Sequence, residues 1–297
     1  MRGAATAIAA ALVLAGCTSV ATEPPDSTST RPKIAAEPQE DPTGFALALG
    51  VDAQDPRVQR QLSGFALVVV DGTETTHRSV AKIQRNGSTL LGYLSVGTVE
   101  PGRSWFATAK REGWLLERWD RWDEWYADVS QPGLRSLLLT QARSILAAGF
   151  DGIFLDNTDM VEGHPAQRAG MVRLVADLAH LVGPKRALFA QNGDPIAAGI
   201  IDDLDGWNRE DVSFTYDAAR HRYVATSAAD RRQAVRQLQR IARRDVYTST
   251  TDYLDPAAPT ARRDTEEAVR RSCAAGAQPY VADIDLTHVP DPPLDCP

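Results

Sequence analysis

Cysteine and histidine are scarce in this chain, with three and five among 297 residues. There is no paired-cysteine ligand motif, no His-Glu-x-x-His and no glycine-rich phosphate loop. Zinc-module, metalloprotease and P-loop chemistries therefore lack their ligand sets, and neither a metal nor a cofactor is expected. The histidines are scattered, with none obviously aimed at Ser95. That serine lies in Gly92-Tyr93-Leu94-Ser95-Val96-Gly97, which lacks the Gly-x-Ser-x-Gly elbow of serine hydrolases and reads as strand.

Positive charge is also short. Lys and Arg total 32 against 39 Asp and Glu, a net of −7. Residues 1 to 16 hold one cation and no acid, so the remainder carries −8. An acidic chain is a poor nucleic-acid binder and suits neutral or cationic ligands.

Long apolar runs are missing except at the start, where Arg2 precedes an apolar stretch from Ala4 to Ala15. It is too short to span a bilayer as a helix and reads as a secretory signal. Leu14-Ala15-Gly16-Cys17 resembles the bacterial lipoprotein box, which implies lipidation at Cys17 and export to the cell envelope. An ordinary signal peptide with an incidental cysteine is the alternative. Residues 18 to 42 are rich in Pro, Ser, Thr and charge and have little to bury, so residues 17–42 are expected to be a flexible tether. Cys273 and Cys296 are expected to form a disulfide in an exported protein, pinning the C-terminal tail to the last helix. A buried Cys273 with a free Cys296 is the alternative.

Residues 43–297 suffice for one large α/β barrel. Strand candidates recur at Phe45–Leu49, Ala66–Val70, Leu90–Val96, Trp125–Val129, Gly152–Leu155, Ala187–Ala190, Asp205–Asn208, Val246–Thr251 and Tyr280–Ile284. Amphipathic patterns lie between them, such as Leu134, Leu137, Leu138, Ile145 and Leu146. Strand and helix in alternation predict a parallel sheet with helices outside, closed into a single (β/α)8 TIM-type barrel. Nine candidates exceed eight, so one is surplus or sits outside the barrel. The arginine-rich segment 231–244 reads as the solvated face of a barrel helix, with contact to anionic headgroups as the alternative.

Residues at the C-terminal ends of these strands share one face of such a barrel, and many are acidic. They include Asp71, Glu100, Asp128, Asp156, Asp159, Asp194, Glu210, Asp211, Asp252, Asp283 and Asp285, with Asn192 among them. Tyr93, Trp105, Trp207 and Tyr253 are interspersed. Carboxylates beside flat aromatic faces suit a carbohydrate, and two opposed carboxyl groups are what glycosidic cleavage requires. Helix capping is the alternative role, evenly matched for Asp159, Asp194 and Asp211 and weaker for Asp156 and Glu210. Asp283 and Asp285 flank Ile284 and either line the barrel mouth or hold a cation.

Five motifs in order, "GYLSVGTVEPGRSWF" (92–106), "WYADV" (125–129), "GFDGIFLDNTD" (149–159), "QNG" (191–193) and "LDGWNRED" (204–211), together resemble glycoside hydrolase family 114, the endo-α-1,4-polygalactosaminidase-like barrel family. The resemblance implies Asp156 and Glu210 as the catalytic pair, with Asp156 the nucleophile, Glu210 the general acid and base, or the reverse. It implies a retaining mechanism with carboxyl groups about 5 Å apart. Asp71, Tyr93, Glu100, Arg103, Trp105, Asp128, Asn157, Asp159, Asn192, Trp207, Tyr253 and Asp283 are expected to bind substrate, an α-linked galactosamine-type polysaccharide. Family members often read Ser-Val-Gly-Glu where this chain has Gly97-Thr98, and often carry an acid where Arg209 stands. Both differences remove negative charge from the expected site. A monomer touching the membrane only through its lipid is expected. A non-catalytic saccharide-binding lipoprotein on the same barrel is the competing reading, and a structural envelope protein a third.

Overall fold

Eight parallel strands build the wall of the molecule. In the computed structural model, which describes residues 42–296, these are β1 (Thr43–Leu47), β2 (Phe65–Asp71), β3 (Thr89–Ser95), β4 (Gly152–Asp156), β5 (Ala187–Gln191), β6 (Gly206–Glu210), β7 (Tyr247–Tyr253) and β8 (Gln278–Ala282). Each hydrogen-bonds to the next in sequence order, always in parallel. β8 lies alongside β1, so the sheet is a nearly closed (β/α)8 barrel. The apolar leader, Cys17 and residues 18–41 of the tether lie outside the described residues.

Most of the strands, β2 to β5 above all, read as largely apolar runs because both their faces are covered, whereas β6 and β7 are mainly polar. Val68, Val69, Ile153, Phe154, Leu155 and Leu188 have no exposed surface, and burying each such side chain contributes about 1.5–3 kcal/mol. Helices Pro132–Ala147 and Arg168–Val182 supply the outer layer with Leu134, Leu138, Ile145, Leu174 and Leu178. Helix Ala228–Ala242 buries Ala234, Leu238 and Ile241 and leaves Arg232, Arg236, Arg240 and Arg243 exposed, the pattern of an outer barrel helix. No helix among the described residues is long and apolar enough to cross a membrane.

The surplus ninth candidate is Trp125–Val129. Glu124–Ala127 forms a three-stranded antiparallel sheet with Thr98–Val99 and Leu115–Trp119, inserted between β3 and helix Pro132–Ala147. Glu124, Trp125 and Tyr126 are half-buried and Ala127 is buried, as expected of a strand outside the wall. A second hairpin, Phe214–Asp217 with Arg222–Ala225, follows β6.

Cys273 and Cys296 are joined in a disulfide, with Cα atoms 5.5 Å apart. The bond fastens the C-terminal segment to helix Ala261–Ala274. Leu294 in that segment packs on Phe214, Leu254 and Val281.

Candidate active site

Three adjacent strands end in the same way. β4, β5 and β6 finish at Asp156, Gln191 and Glu210, and the next residues, Asn157, Asn192 and Asp211, have φ of 59°, 55° and 58°. Asn and Asp tolerate this left-handed conformation better than other side-chain-bearing residues. Each turn ends the strand at once and leaves its last side chain at the barrel mouth. Gly97 permits the approach of a neighbouring loop, because a Cβ there would lie 1.9 Å from the Asn157 carbonyl oxygen.

Alternation along the strands decides which side chains point inward. On β6, Asn208 and Glu210 face the lumen. Asn208 Nδ2 donates to Gln191 Oε1 at 2.7 Å, and Ser249 Oγ donates to Asn208 Oδ1 at 2.9 Å. Gln191 Nε2 in turn donates to Asp156 Oδ1 at 2.9 Å. A buried polar network thus fills the lumen directly beneath the mouth, where an apolar core would leave Asp156 without donors.

Above this network opens a cavity of about 530 Å³. Asp156 and Glu210 both line it, with Tyr93 and Tyr253 beside them. Asp156 accepts from Tyr93 Oη at 2.8 Å, from the Asn157 backbone N–H at 2.7 Å and from Asn157 Nδ2 at 3.2 Å. Glu210 accepts from Tyr253 Oη, and from Asn192 Nδ2 at 2.7 Å. Asp159 shares that amide more distantly, at 3.4 Å.

The two carboxyl groups differ electrostatically. Burial pushes Glu210 up to about 8, and the charges of Asp156 and Asp211 add to the effect. Burial also raises Asp156, but hydrogen bonds from Tyr93, Asn157 and Gln191 oppose it. More donors converge on Asp156, so it is the better placed to hold a negative charge while Glu210 keeps its proton. Burial and the Asp156 charge bring Asp159 to about 7.

On the opposite wall, Arg103 bridges Asp71 Oδ2 at 2.8 Å and Glu100 Oε1 at 2.6 Å. Burial alone would raise Asp71, but the hydrogen bond and charge of Arg103 hold it below the ordinary carboxylate range. The cavity carries nine carboxyl-bearing residues against Arg103 and Arg121, an excess that favours cationic or hydroxyl-rich ligands.

The chain matches the model of glycoside-hydrolase family GH114 across residues 25–291. It belongs to that family. An uncharacterized protein of Deinococcus radiodurans is 30% identical over 246 residues, 75% of each chain. Among solved structures, the glycoside hydrolase domain of PelA from Pseudomonas aeruginosa shares the fold with a TM-score of 0.72 at 23% identity, covering 84% of this chain and 97% of that one. Aspergillus fumigatus Ega3 in complex with galactosamine does so with a TM-score of 0.66 at 17% identity, covering 86% and 94%. The chain is therefore a glycoside hydrolase by family and a TIM barrel by structure.

Of the residues expected at the GH114 site, Asp71, Tyr93, Glu100, Arg103, Asn157, Asp159, Asn192 and Tyr253 join the pair at the cavity. Four lie elsewhere. Trp207 alternates outward from Asn208 and is fully buried in the core. Trp105 sits behind Arg103, whose guanidinium lies 5.9 Å from its ring centre. Asp128 is not on a barrel strand; it accepts from the Ser130 N–H and from Gln131 and Gln167, bracing the turn into helix Pro132–Ala147. Asp283 accepts from the Thr287 and His288 N–H groups, and its neighbour Asp285 reaches the mouth instead. Among the described residues, no group of three or more His, Cys, Asp or Glu could hold a metal ion.

The two departures from the family pattern also fall into place. Arg209 turns outward to Asp194 Oδ1 at 3.2 Å and leaves the cavity lining acidic. Thr98 joins Ser95 Oγ at 2.7 Å and accepts from Asn157 Nδ2 at 3.1 Å, so it braces the turn after Asp156. Gln191, Glu124, Trp119 and Trp122 line the cavity without having been expected there. Gln191 was legible in principle, as the polar residue ending the apolar run Ala187–Ala190. The other three lie on the inserted sheet, whose position over the mouth no periodicity reports.

Proposed function

We propose that this GH114 enzyme is an exported, lipid-anchored hydrolase that cleaves an α-linked, galactosamine-type polysaccharide with retention of anomeric configuration. The observation that carries the reading is the unequal pair: Asp156 held by several donors, Glu210 pushed up to about 8 by burial. In the first step Asp156 attacks the anomeric carbon while Glu210 protonates the departing glycosidic oxygen, leaving a glycosyl ester and an ionised Glu210. In the second, Glu210 takes a proton from water, whose oxygen attacks the anomeric carbon and releases Asp156. Tyr93 and Gln191 hold Asp156 for attack, and Asn192 and Tyr253 orient Glu210.

The acid-rich cavity suits a sugar bearing an ammonium group, and the similar Ega3 structure holds galactosamine. The lipoprotein-like Leu14-Ala15-Gly16-Cys17 supports anchoring at Cys17. The deciding experiment incubates residues 43–297 with α-1,4-linked galactosamine and N-acetylgalactosamine polymers and measures released reducing ends. The anomer formed first is read by proton NMR. An α product from the amino polymer supports the reading; a β product refutes retention. Binding without release favours the non-catalytic saccharide protein.

A further inference from the structure

The inserted sheet does more than fill a gap between β3 and β4. Its strands Leu115–Trp119 and Glu124–Ala127 meet at a tight tip, with Trp119 paired to Glu124. Trp119, Arg121, Trp122 and Glu124 all line the cavity that holds Asp156. Trp122 is the large apolar side chain left exposed among the described residues, at 38%. A single exposed apolar residue is unremarkable on a surface, but this one stands at the rim of a carbohydrate-hydrolase cavity on a braced mount.

The bracing is specific. Trp119 stacks on Tyr126 with ring centres 5.4 Å apart and planes at 17°. Tyr126 rests against His164 at 4.4 Å, and His164 Nε2 lies 2.7 Å from Glu117 Oε1. Trp122 meets Trp119 edge to face at 6.5 Å, and the Arg121 guanidinium lies 5.0 Å from the Trp122 ring. Arg118 clamps the tip from beneath, donating to Asp120 Oδ1 at 2.8 Å and to Asp123 Oδ1 at 3.0 Å. Exposed ion pairs contribute little to global stability, but here they fix the position of an indole, and a rigid platform loses little entropy when a ring settles on it. At the inner end of the same tip, Glu124 Oε2 is buried without a hydrogen-bond partner. Glu124 itself lines the cavity, and a carboxyl oxygen buried there without a partner would gain from a hydroxyl or ammonium donor.

We propose that Trp122, with Glu124 at its inner side, forms a second saccharide subsite in which a pyranose ring of the substrate chain, displaced from the cleaved bond, stacks on the exposed indole. The subsite selects for chain length: a polymer reaches it, a short fragment does not. It rests on the carbohydrate reading above.

The test uses the Asp156→Asn enzyme, which leaves the ligand intact, and calorimetric titration with α-1,4-linked galactosamine disaccharide and octasaccharide. Adding Trp122→Ala is expected to weaken octasaccharide binding about tenfold and to erase most of its advantage over the disaccharide. Trp122→Phe should restore much of it. Unchanged melting of both variants excludes a folding defect. Equal weakening at both lengths, or none, overturns the subsite even if the wild-type enzyme degrades the polymer. If the wild type releases nothing from galactosamine polymer yet the N-acetylated octasaccharide binds in a Trp122-dependent way, the substrate reading fails and the subsite stands.

Discussion

The Tyr93 hydroxyl donates to Asp156 Oδ2 across 2.8 Å, and on the other side of the mouth Tyr253 stands in the same relation to Glu210. Each carboxyl therefore has its own phenol, delivered from a different strand, β3 for one and β7 for the other. Both phenols are buried beside carboxylates and pushed well above their ordinary pKa, so they stay protonated and serve as donors at any working pH. A donor stabilises the charged form of its acceptor. On the proposed assignment of the pair, the two tyrosines act on opposite limbs of the activity profile.

In the proposed mechanism turnover needs Asp156 ionised and Glu210 protonated, so the rate should rise with the ionisation of Asp156 and fall as pH passes about 8. Tyr253→Phe removes a hydrogen bond that lowers Glu210, and the alkaline limb should move to higher pH. Tyr93→Phe removes one that lowers Asp156, and the acid limb should also move up, narrowing the active range from below. Profiles of kcat/KM for the two variants check both directions; an unmoved limb contradicts the assignment for that carboxyl.

Asp156→Asn and Glu210→Gln should each lower kcat by at least about a thousandfold while binding of the octasaccharide survives, because on the proposed assignment each removes a participant in the transition state rather than a ground-state contact. Their double variant should be scarcely worse than either alone, since the two act as a unit. Losses confined to KM would instead show that the pair binds substrate without carrying the chemistry.

The barrel was legible in the sequence because burial on both faces writes itself as apolar runs in most of the wall, with helical patterns between them, and eight of the nine strand candidates became wall strands. The ninth, around Trp125, was misplaced because four residues of a half-buried hairpin mimic a short barrel strand. The cavity positions of Asp156 and Glu210 were legible for a related reason, as acids at or next to the ends of apolar segments, while their roles rest on the family resemblance. Trp207 illustrates the limit. It lies three residues from Glu210, but a period of two sends it to the opposite face, and composition near a site does not carry parity. The Trp119–Trp122 tip depends on how an inserted sheet is laid over the mouth, which local sequence does not encode.

Asp252 should govern part of the pH dependence of stability. Its Oδ1 accepts from the Ser213 and Phe214 N–H groups at 2.6 and 2.9 Å, while Oδ2 is buried without a partner. Burial, only partly offset by those bonds, raises it from 3.8 to about 7. The folded side chain therefore keeps its proton where the unfolded one has lost it. Its contribution is fully present below about pH 4, drains away as pH rises to about 7 and is constant thereafter. Asp252→Asn retains the acceptor and removes the charge. At pH 8 this relieves on the order of 4 kcal/mol of penalty, less about 1–3 kcal/mol for an unpaired amide. The variant should be more stable than wild type at pH 8 by on the order of 2 kcal/mol, with the difference shrinking toward pH 4. Urea titrations at both pH values test this; a variant less stable at pH 8 would show that the charge is compensated.

The disulfide offers a test of how the C-terminal segment is held. Cys273 and Cys296 close a loop with a sequence separation of 23, and in the chain-entropy account a loop of this size confers about 3 kcal/mol. The closed segment also contributes native contacts, since Gln278 Nε2 donates to the Leu294 carbonyl at 3.1 Å and Leu294 packs on Phe214 and Val281. These contacts lie outside the cavity lining. Replacing both cysteines by serine should therefore lower Tm by about 6–12 °C and leave kcat/KM on polymer near the wild-type value at temperatures well below melting. Hydrogen exchange should quicken first at residues 286–296, ahead of β8. A loss of Tm without local quickening would mean that the cross-link acts through the unfolded chain alone, whereas local quickening at unchanged Tm would place the tail outside the cooperative unit that melts.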